Sequence, residues 1–127
     1  EMAFLTGHSV QEIQANRLIM AEKYAKLWGH VVVLKGACTV VASPNGKTCI
    51  IPIATPALAK AGSGDVLAGL IVGLLAQGVN PFEAAISGAW IHANAGLQLE
   101  ATAGAISAVA GDLIGLIYKV MIDLIEN

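Results

Sequence analysis

The sequence predicts an α/β fold, a sheet covered by helices, and three observations carry that expectation. Val31, Val32, Val33 and Leu34 form an unbroken apolar run rich in β-branched residues. Such a run suits a strand buried on both faces, as in a parallel sheet. Ser43-Pro44-Asn45-Gly46 is a turn: Pro fixes one torsion and Asn-Gly tolerates positive φ. After residue 54 the pattern changes to long apolar stretches broken by Gly78, by Asn80-Pro81 and by small residues at 101–104, which reads as three helices. The order is helix, strand, hairpin, then helices.

Ser9 followed by Glu12 has the spacing of a capping box. Val10, Ile13, Met20, Tyr24 and Leu27 recur between polar residues such as Gln11, Arg17 and Lys23. An amphipathic helix over residues 9–28 is expected, closed by Gly29. Strands are expected over 31–34, 39–42 and 47–53, the last two flanking the turn. The first late helix should cover 65–77 and end at Gly78. The second should start with Pro81 in its first turn and run to residue 99, and the third should cover 109–125.

Composition sets the outer limits. A chain of 127 residues suits one domain or one lobe of a larger one. At 56% hydrophobic and 13% charged, it is more apolar than a self-contained domain of this size needs to be. Some apolar faces are therefore expected to be covered by a further lobe, by homo-oligomerisation or by membrane. The membrane reading is the weakest, because spanning takes roughly 20 apolar residues without charge. The run 66–76 is shorter, and 103–122 contains Asp112 and Lys119. No secretory signal is visible, and a cytoplasmic location is expected. The net charge of −2, with Lys and Arg scattered, argues against a nucleic-acid partner. Cys38 and Cys49 lack CxxC spacing and are expected as separate reduced core thiols, although a hairpin could bring them together.

The residues that carry chemistry lie around residue 63. Gly62 and Gly64 bracket Ser63 immediately before a helix. Glycines let the backbone turn tightly and present several N–H groups in one direction. The helix amino terminus adds partial positive charge, and together these make a phosphate or oxyanion site from Gly62, Ser63 and Gly64. Asp65 stands at its mouth, where a carboxylate suits a general base for a hydroxyl proton. On spacing alone, an N-capping Asp in a glycine-rich turn is an equal reading. Lys35 followed by Gly36 ends a strand, where α/β folds place ligand-binding loops, although a solvated strand-end lysine has the same pattern.

Four segments together resemble a known family. Ala61-Gly-Ser-Gly-Asp-Val-Leu-Ala-Gly69, continuing through Leu74-Leu-Ala-Gln-Gly78, resembles the signature of the ribokinase-like superfamily. Within it the sequence is most similar to NAD(P)H-hydrate dehydratases, also known as YjeF carboxyl-terminal or carbohydrate-kinase-like domains. Glu1-Met-Ala-Phe-Leu-Thr-Gly7, Val33-Leu-Lys-Gly-Ala-Cys-Thr39 and Ala110-Gly-Asp-Leu-Ile114 resemble three further family segments.

The resemblance implies a layered α/β/α sandwich, with residues 1–127 as the carboxyl-terminal part of one nucleotide-binding domain. It implies an ADP-dependent (S)-NAD(P)H-hydrate dehydratase, a hydro-lyase that repairs hydrated NADH and NADPH. Nucleotide contacts fall on Lys35, Gly36, Ala37, Cys38, Thr39 and Gly64. Asp65 faces the hydrated nicotinamide and is the catalytic residue. ADP rather than ATP is expected, because the loop lacks the longer insertion before GxGD that resembles eukaryotic ATP-using members. Mg2+ is implied with the nucleotide, and no residue here is assigned as a metal ligand. An HPG segment is expected just before Glu1, with the first strands earlier still, so these residues alone are not expected to form a complete enzyme.

Two rival readings use the same loop: a ribokinase-like kinase for a sugar or vitamin precursor, and a non-catalytic fragment of the fold. The remaining residues have structural expectations. His8, His30 and His92 should be surface or capping histidines, and Trp28 and Trp90 core aromatics. Gly69 and Gly73 should let their helix approach the sheet closely. Asp112 and Glu126 should be capping or solvated acids.

Overall fold

A computed structural model gives the structure of residues 1–126; Asn127, inside the expected domain span, lies outside the described residues. The chain forms helices α1 (Met2–Thr6), α2 (Val10–Ala15) and α3 (Arg17–Trp28), then strands β1 (Val32–Leu34), β2 (Val40–Ala42) and β3 (Thr48–Ile50). A short 3-10 turn at Pro56–Leu58 leads to α4 (Ser63–Ala76), α5 (Pro81–Ser107) and α6 (Ala110–Glu126).

Local signals act where the sequence placed them. Ser9 Oγ accepts from the Glu12 amide at 3.2 Å, and Gly29 closes α3 in the left-handed region at φ 69°. Asn80 Oδ1 accepts from the Phe82 amide at 3.0 Å, with Pro81 opening α5. Asp112 accepts from the Val109 amide at 3.1 Å, as a capping acid should. Three boundaries differ from expectation. The single helix over 9–28 is two, because Asn16 takes φ −131° and its side chain donates to the Glu12 carbonyl at 3.1 Å. Asn competes with the backbone in this way and interrupts helices. The segment before Gly7 is itself a short helix. Finally, α5 runs past residue 99, and its break narrows to Gly104 at φ 72° and ψ 155°.

The three strands form one antiparallel sheet in the order β1-β2-β3, with Val33 opposite Val41 and Val41 opposite Cys49. The parallel partner expected for β1 is not found among the described residues; its described neighbour is the antiparallel β2. The sheet is nonetheless covered on both faces. Val32, Leu34, Val40 and Ala42 pack with Ile13, Ala21 and Ala25 of α2 and α3. Alternate residues point the other way: Val41 and Ile51 pack with Leu67 of α4 and Ala85, Ala89 and Ala93 of α5, joined by Val33 and Cys49. Helix, sheet and helix make the expected layers. A separate helical core joins Ile91, Ala95 and Leu99 of α5 to Leu113 and Val120 of α6.

Several core assignments change. Trp28 and Trp90 are only partly buried, 37% and 36% exposed, with Trp28 leaning on Tyr24 at a ring-centre distance of 4.8 Å. Cys38 and Cys49 are free thiols, but Cys38 is exposed and Cys49 half-buried. Gly69 and Gly73 face open space. The close helix approaches are instead at Gly88, where a methyl group would stand 2.6 Å from Ile71 Cγ1, and at Gly96, 2.6 Å from Leu58 Cγ. The apolar excess emerges as exposed side chains, among them Phe4, Leu5, Val72 and Ile125. No helix of the described residues is long and apolar enough to cross a membrane.

The glycine exchange gives a test. Gly88→Ala should destabilise by about 1–3 kcal/mol through overpacking. Gly69→Ala, in an open helix interior, should stabilise by about 0.5–1 kcal/mol. Urea unfolding of both variants checks this, and effects of equal sign would contradict the packing described.

Candidate functional site

Two loops of different origin meet at one end of the sheet. The first forms where β3 gives way to α4. Thr55 caps the 3-10 turn by accepting from the Ala57 amide at 3.1 Å, and its hydroxyl donates to the Glu100 carboxylate at 2.5 Å. The chain then reaches Gly62 at φ 86° and ψ −14°, a left-handed turn that starts α4 at the next residue. A side chain at Gly62 would be strained by that torsion and would stand 3.2 Å from Ala110 Cβ.

Ser63 is the buried anchor of this loop, 8% exposed. Its hydroxyl donates to the Leu58 carbonyl at 2.7 Å, and its carbonyl is 2.9 Å from His92 Nε2. Its amide donates to the Lys60 carbonyl at 3.3 Å. This corrects the expected amide set, because the Ser63 N–H is committed inside the loop. Neither Gly62 nor Gly64 gives its N–H to another backbone carbonyl. Gly64, second in α4, is one of the donors that every helix start leaves without an intrahelical partner. Asp65 follows on the exposed first turn.

The second loop leaves β1. Lys35 extends across the gap so that a methyl group on Gly64 would stand 2.7 Å from its Nζ. The ammonium thus lies directly over the Gly64 backbone. It also pairs with Glu1 Oε2 at 3.3 Å, an exposed contact of little energetic weight. Gly36 has φ 142° and Cys38 φ 53°. Thr39 Oγ1 accepts from the Gly36 amide at 3.3 Å and donates to the Gly36 carbonyl at 3.1 Å, closing the turn on itself.

Between the loops is a cleft of about 740 Å³. Lys35, Gly36, Ala37, Thr39, Gly62, Ser63, Gly64 and Asp65, each singled out from the sequence, line it. Cys38 does not: its thiol is exposed outside the cleft lining, and its amide donates to the Ile53 carbonyl at 3.4 Å. Leu58, Ile53 and Leu67 supply apolar wall.

The residue that sequence reasoning missed is His92. Expected at the surface, it is 6% exposed and lines the cleft behind Ser63. The signal was present in its setting: Ala89, Ala93, Ala95 and Gly96 surround it on α5, and small residues at those positions mark the face of the helix that packs closely against its neighbours. A buried imidazole needs a partner, and the Ser63 carbonyl provides it. Burial pushes its pKa below the ordinary 6.5; the Ser63 carbonyl opposes that shift and the nearby Lys35 charge adds to it. The neutral ring must carry its proton on Nε2 to donate to that carbonyl.

The fold and cleft define an α/β protein with an open cleft between a strand-end lysine and a glycine-rich helix start. The chain belongs to the NAD(P)H-hydrate dehydratase family, whose model matches residues 1–119. It is 45% identical over its full 127 residues to the bifunctional NAD(P)H-hydrate repair enzyme Nnr of Moorella thermoacetica, of which it covers 24%. It is 45% identical over 114 residues, 89% of its length, to the ADP-dependent (S)-NAD(P)H-hydrate dehydratase of Neisseria meningitidis, covering 38% of that protein. The structure superposes with a TM-score of 0.91, at 31% identity, on the ADP/ATP-dependent NAD(P)H-hydrate dehydratase of Bacillus subtilis co-crystallized with ATP/Mg2+. That match covers 95% of this chain and 44% of the other. The chain therefore spans less than half the length of these relatives.

His92 gives a prediction with a sign. Its folded pKa is depressed, so the unfolded chain binds more protons just below 6.5. Its contribution is fully present above 6.5 and is lost as pH falls through that value toward the folded pKa. His92→Phe should flatten this acid limb and, by removing the donor to Ser63, cost about 1–3 kcal/mol near neutrality. Denaturation at a series of pH values checks both; an unchanged acid limb would place the titration elsewhere.

Proposed function

We propose that residues 1–127 are the carboxyl-terminal part of one ribokinase-like domain that acts as an ADP-dependent (S)-NAD(P)H-hydrate dehydratase. The observation that carries this reading is the convergence of Lys35 over Gly64, with Asp65, the next residue on the same turn, lining the cleft. A cationic side chain, an open helix-start amide and a carboxylate base are the parts that phosphoryl transfer to a hydroxyl needs. The dehydratase names of the relatives support the substrate, and the ADP dependence of the Neisseria protein supports the donor.

The residues divide the work. The 35–39 loop would hold the adenine nucleotide, and Gly64, with Gly62 and Lys35, would receive its terminal phosphate. Asp65 would take the proton from the hydroxyl on the hydrated nicotinamide ring, so that the oxygen forms a bond to phosphorus as the bond to the donor nucleotide breaks. Charge on the transferring phosphoryl group is held by the Gly64 amide and the Lys35 ammonium. The ring C–O bond then breaks, its electron pair leaving on phosphate, and loss of a proton from the neighbouring carbon restores the double bond. The Mg2+ implied with the nucleotide would be held chiefly by the nucleotide's own phosphates and by water, with at most one or two protein carboxylates, and would help neutralise charge on the transferring group. The exposed apolar side chains of α1, α4 and α6 are surfaces for the rest of the domain and for further copies of it.

Asp65→Asn should lower kcat by about 10²–10⁴-fold while ADP still binds. The assay mixes hydrated NADH with ADP and follows the absorbance of regenerated NADH, using the intact gene product. Undiminished turnover in the variant would remove Asp65 from the chemistry; absence of any NADH signal from the wild type would defeat the dehydratase reading.

A further inference from the structure

The loop at 35–39 forms one wall of the cleft, yet Lys35, Gly36, Ala37 and Cys38 are all exposed. Such a segment has little burial of its own to fix it. Thr39 closes it on itself, the Cys38 amide ties it to the Ile53 carbonyl, and a further contact holds it at its base. Arg17, the first residue of α3, extends under the end of β1. Its Nη2 donates to the Leu34 carbonyl at 2.8 Å and reaches the Lys35 carbonyl at 3.4 Å. Its Nη1 donates to Gln14 Oε1 at 3.3 Å, which ties the same head group back to α2.

Gly36 completes the arrangement. Its φ of 142° favours glycine, and a methyl group there would stand 3.2 Å from both Nη1 and Nη2. The fork end of the guanidinium therefore stands beside Gly36, at a distance that a side chain there would crowd. Arg17 Nε is buried without a hydrogen-bond partner. The head group gives up one donor in order to direct its fork at the strand end. Arg17 does not line the cleft, so it has no route to a bound nucleotide except through the loop.

We propose that Arg17 is a positioning residue for the nucleotide-facing loop, a fork that fixes the carbonyls of Leu34 and Lys35 and so aims the Lys35 side chain over Gly64. The functional half of this proposal rests on the reading of the cleft as a nucleotide site; the structural half does not. Lysine cannot replace arginine here, because a single ammonium lacks the planar fork that spans two acceptors and packs on Gly36.

The test uses the full-length protein and four forms of it: wild type, Arg17→Ala, Arg17→Lys, and Met20→Ala. Met20 is buried in the same helix, so the last variant loses stability without touching the loop. Hydrogen exchange of the ligand-free protein is read at the amides of residues 36–39. Steady-state kinetics with ADP gives KM and kcat. Arg17→Ala should speed exchange at 36–39 and raise the KM for ADP about tenfold, and kcat should fall as well, because Lys35 also holds charge on the transferring phosphoryl group. Arg17→Lys should restore none of these values, and Met20→Ala should move none of them. Unchanged exchange at 36–39 in Arg17→Ala overturns the proposal. So does a response that Met20→Ala reproduces, or full rescue by lysine. If wild type binds no ADP, the nucleotide reading fails, and the exchange data alone decide whether Arg17 orders the loop.

Discussion

A loop that leaves helix-start amides open must turn its other polar groups somewhere, and here those of Ser63 turn onto Leu58 and His92. The Ser63 hydroxyl binds the Leu58 carbonyl and its own carbonyl meets His92, so this residue is bonded from two sides inside the protein. An unpaired buried carbonyl would cost about as much as a lost hydrogen bond. The left-handed turn at Gly62 and the open amide of Gly64 hold their places because the residue between them is fixed. Everything else in the cleft is arranged around that fixed point: α5 brings His92 to it, and β1 brings Lys35 over it from the opposite wall.

The two walls are built by different physics. The Gly62–Asp65 wall is anchored from within by buried hydrogen bonds. The 35–39 wall is exposed, closed on itself through Thr39, and tied at its base by Arg17. A wall anchored at a buried residue resists change in its geometry, whereas an exposed loop held by a few hydrogen bonds can admit and release a ligand at modest cost. Leu58, Ile53 and Leu67 supply the apolar lining between the two walls.

Much of this was legible in the sequence, for identifiable reasons. The Ser9 helix cap, the Asn-Gly turn and the Asn80-Pro81 helix start are local signals, decided by a few adjacent residues, and they formed where they were read, although the Glu12 carboxylate pairs with His8 rather than closing the capping box. The candidate loop was legible because glycine spacing and the matched segments are also local. Long-range relations were not. His92 and Arg17 act through partners 29 and 17 residues away, and no spacing rule connects them to those partners. The glycines Gly69 and Gly73 had the motif for close packing but face open space, while Gly88 and Gly96, without the motif, make the contacts. A pattern names what a residue permits; only the neighbour across the fold decides whether it is used.

The central claim is that Lys35 and Gly64 together receive the phosphate of an adenine nucleotide. A crystal structure of the full-length protein with ADP tests it most directly. The claim predicts a terminal phosphate oxygen at about 2.7–3.2 Å from both the Gly64 amide and Lys35 Nζ, with the adenine toward the 35–39 loop. A nucleotide bound elsewhere, or one lying in the cleft with its phosphates away from Gly64, would contradict it.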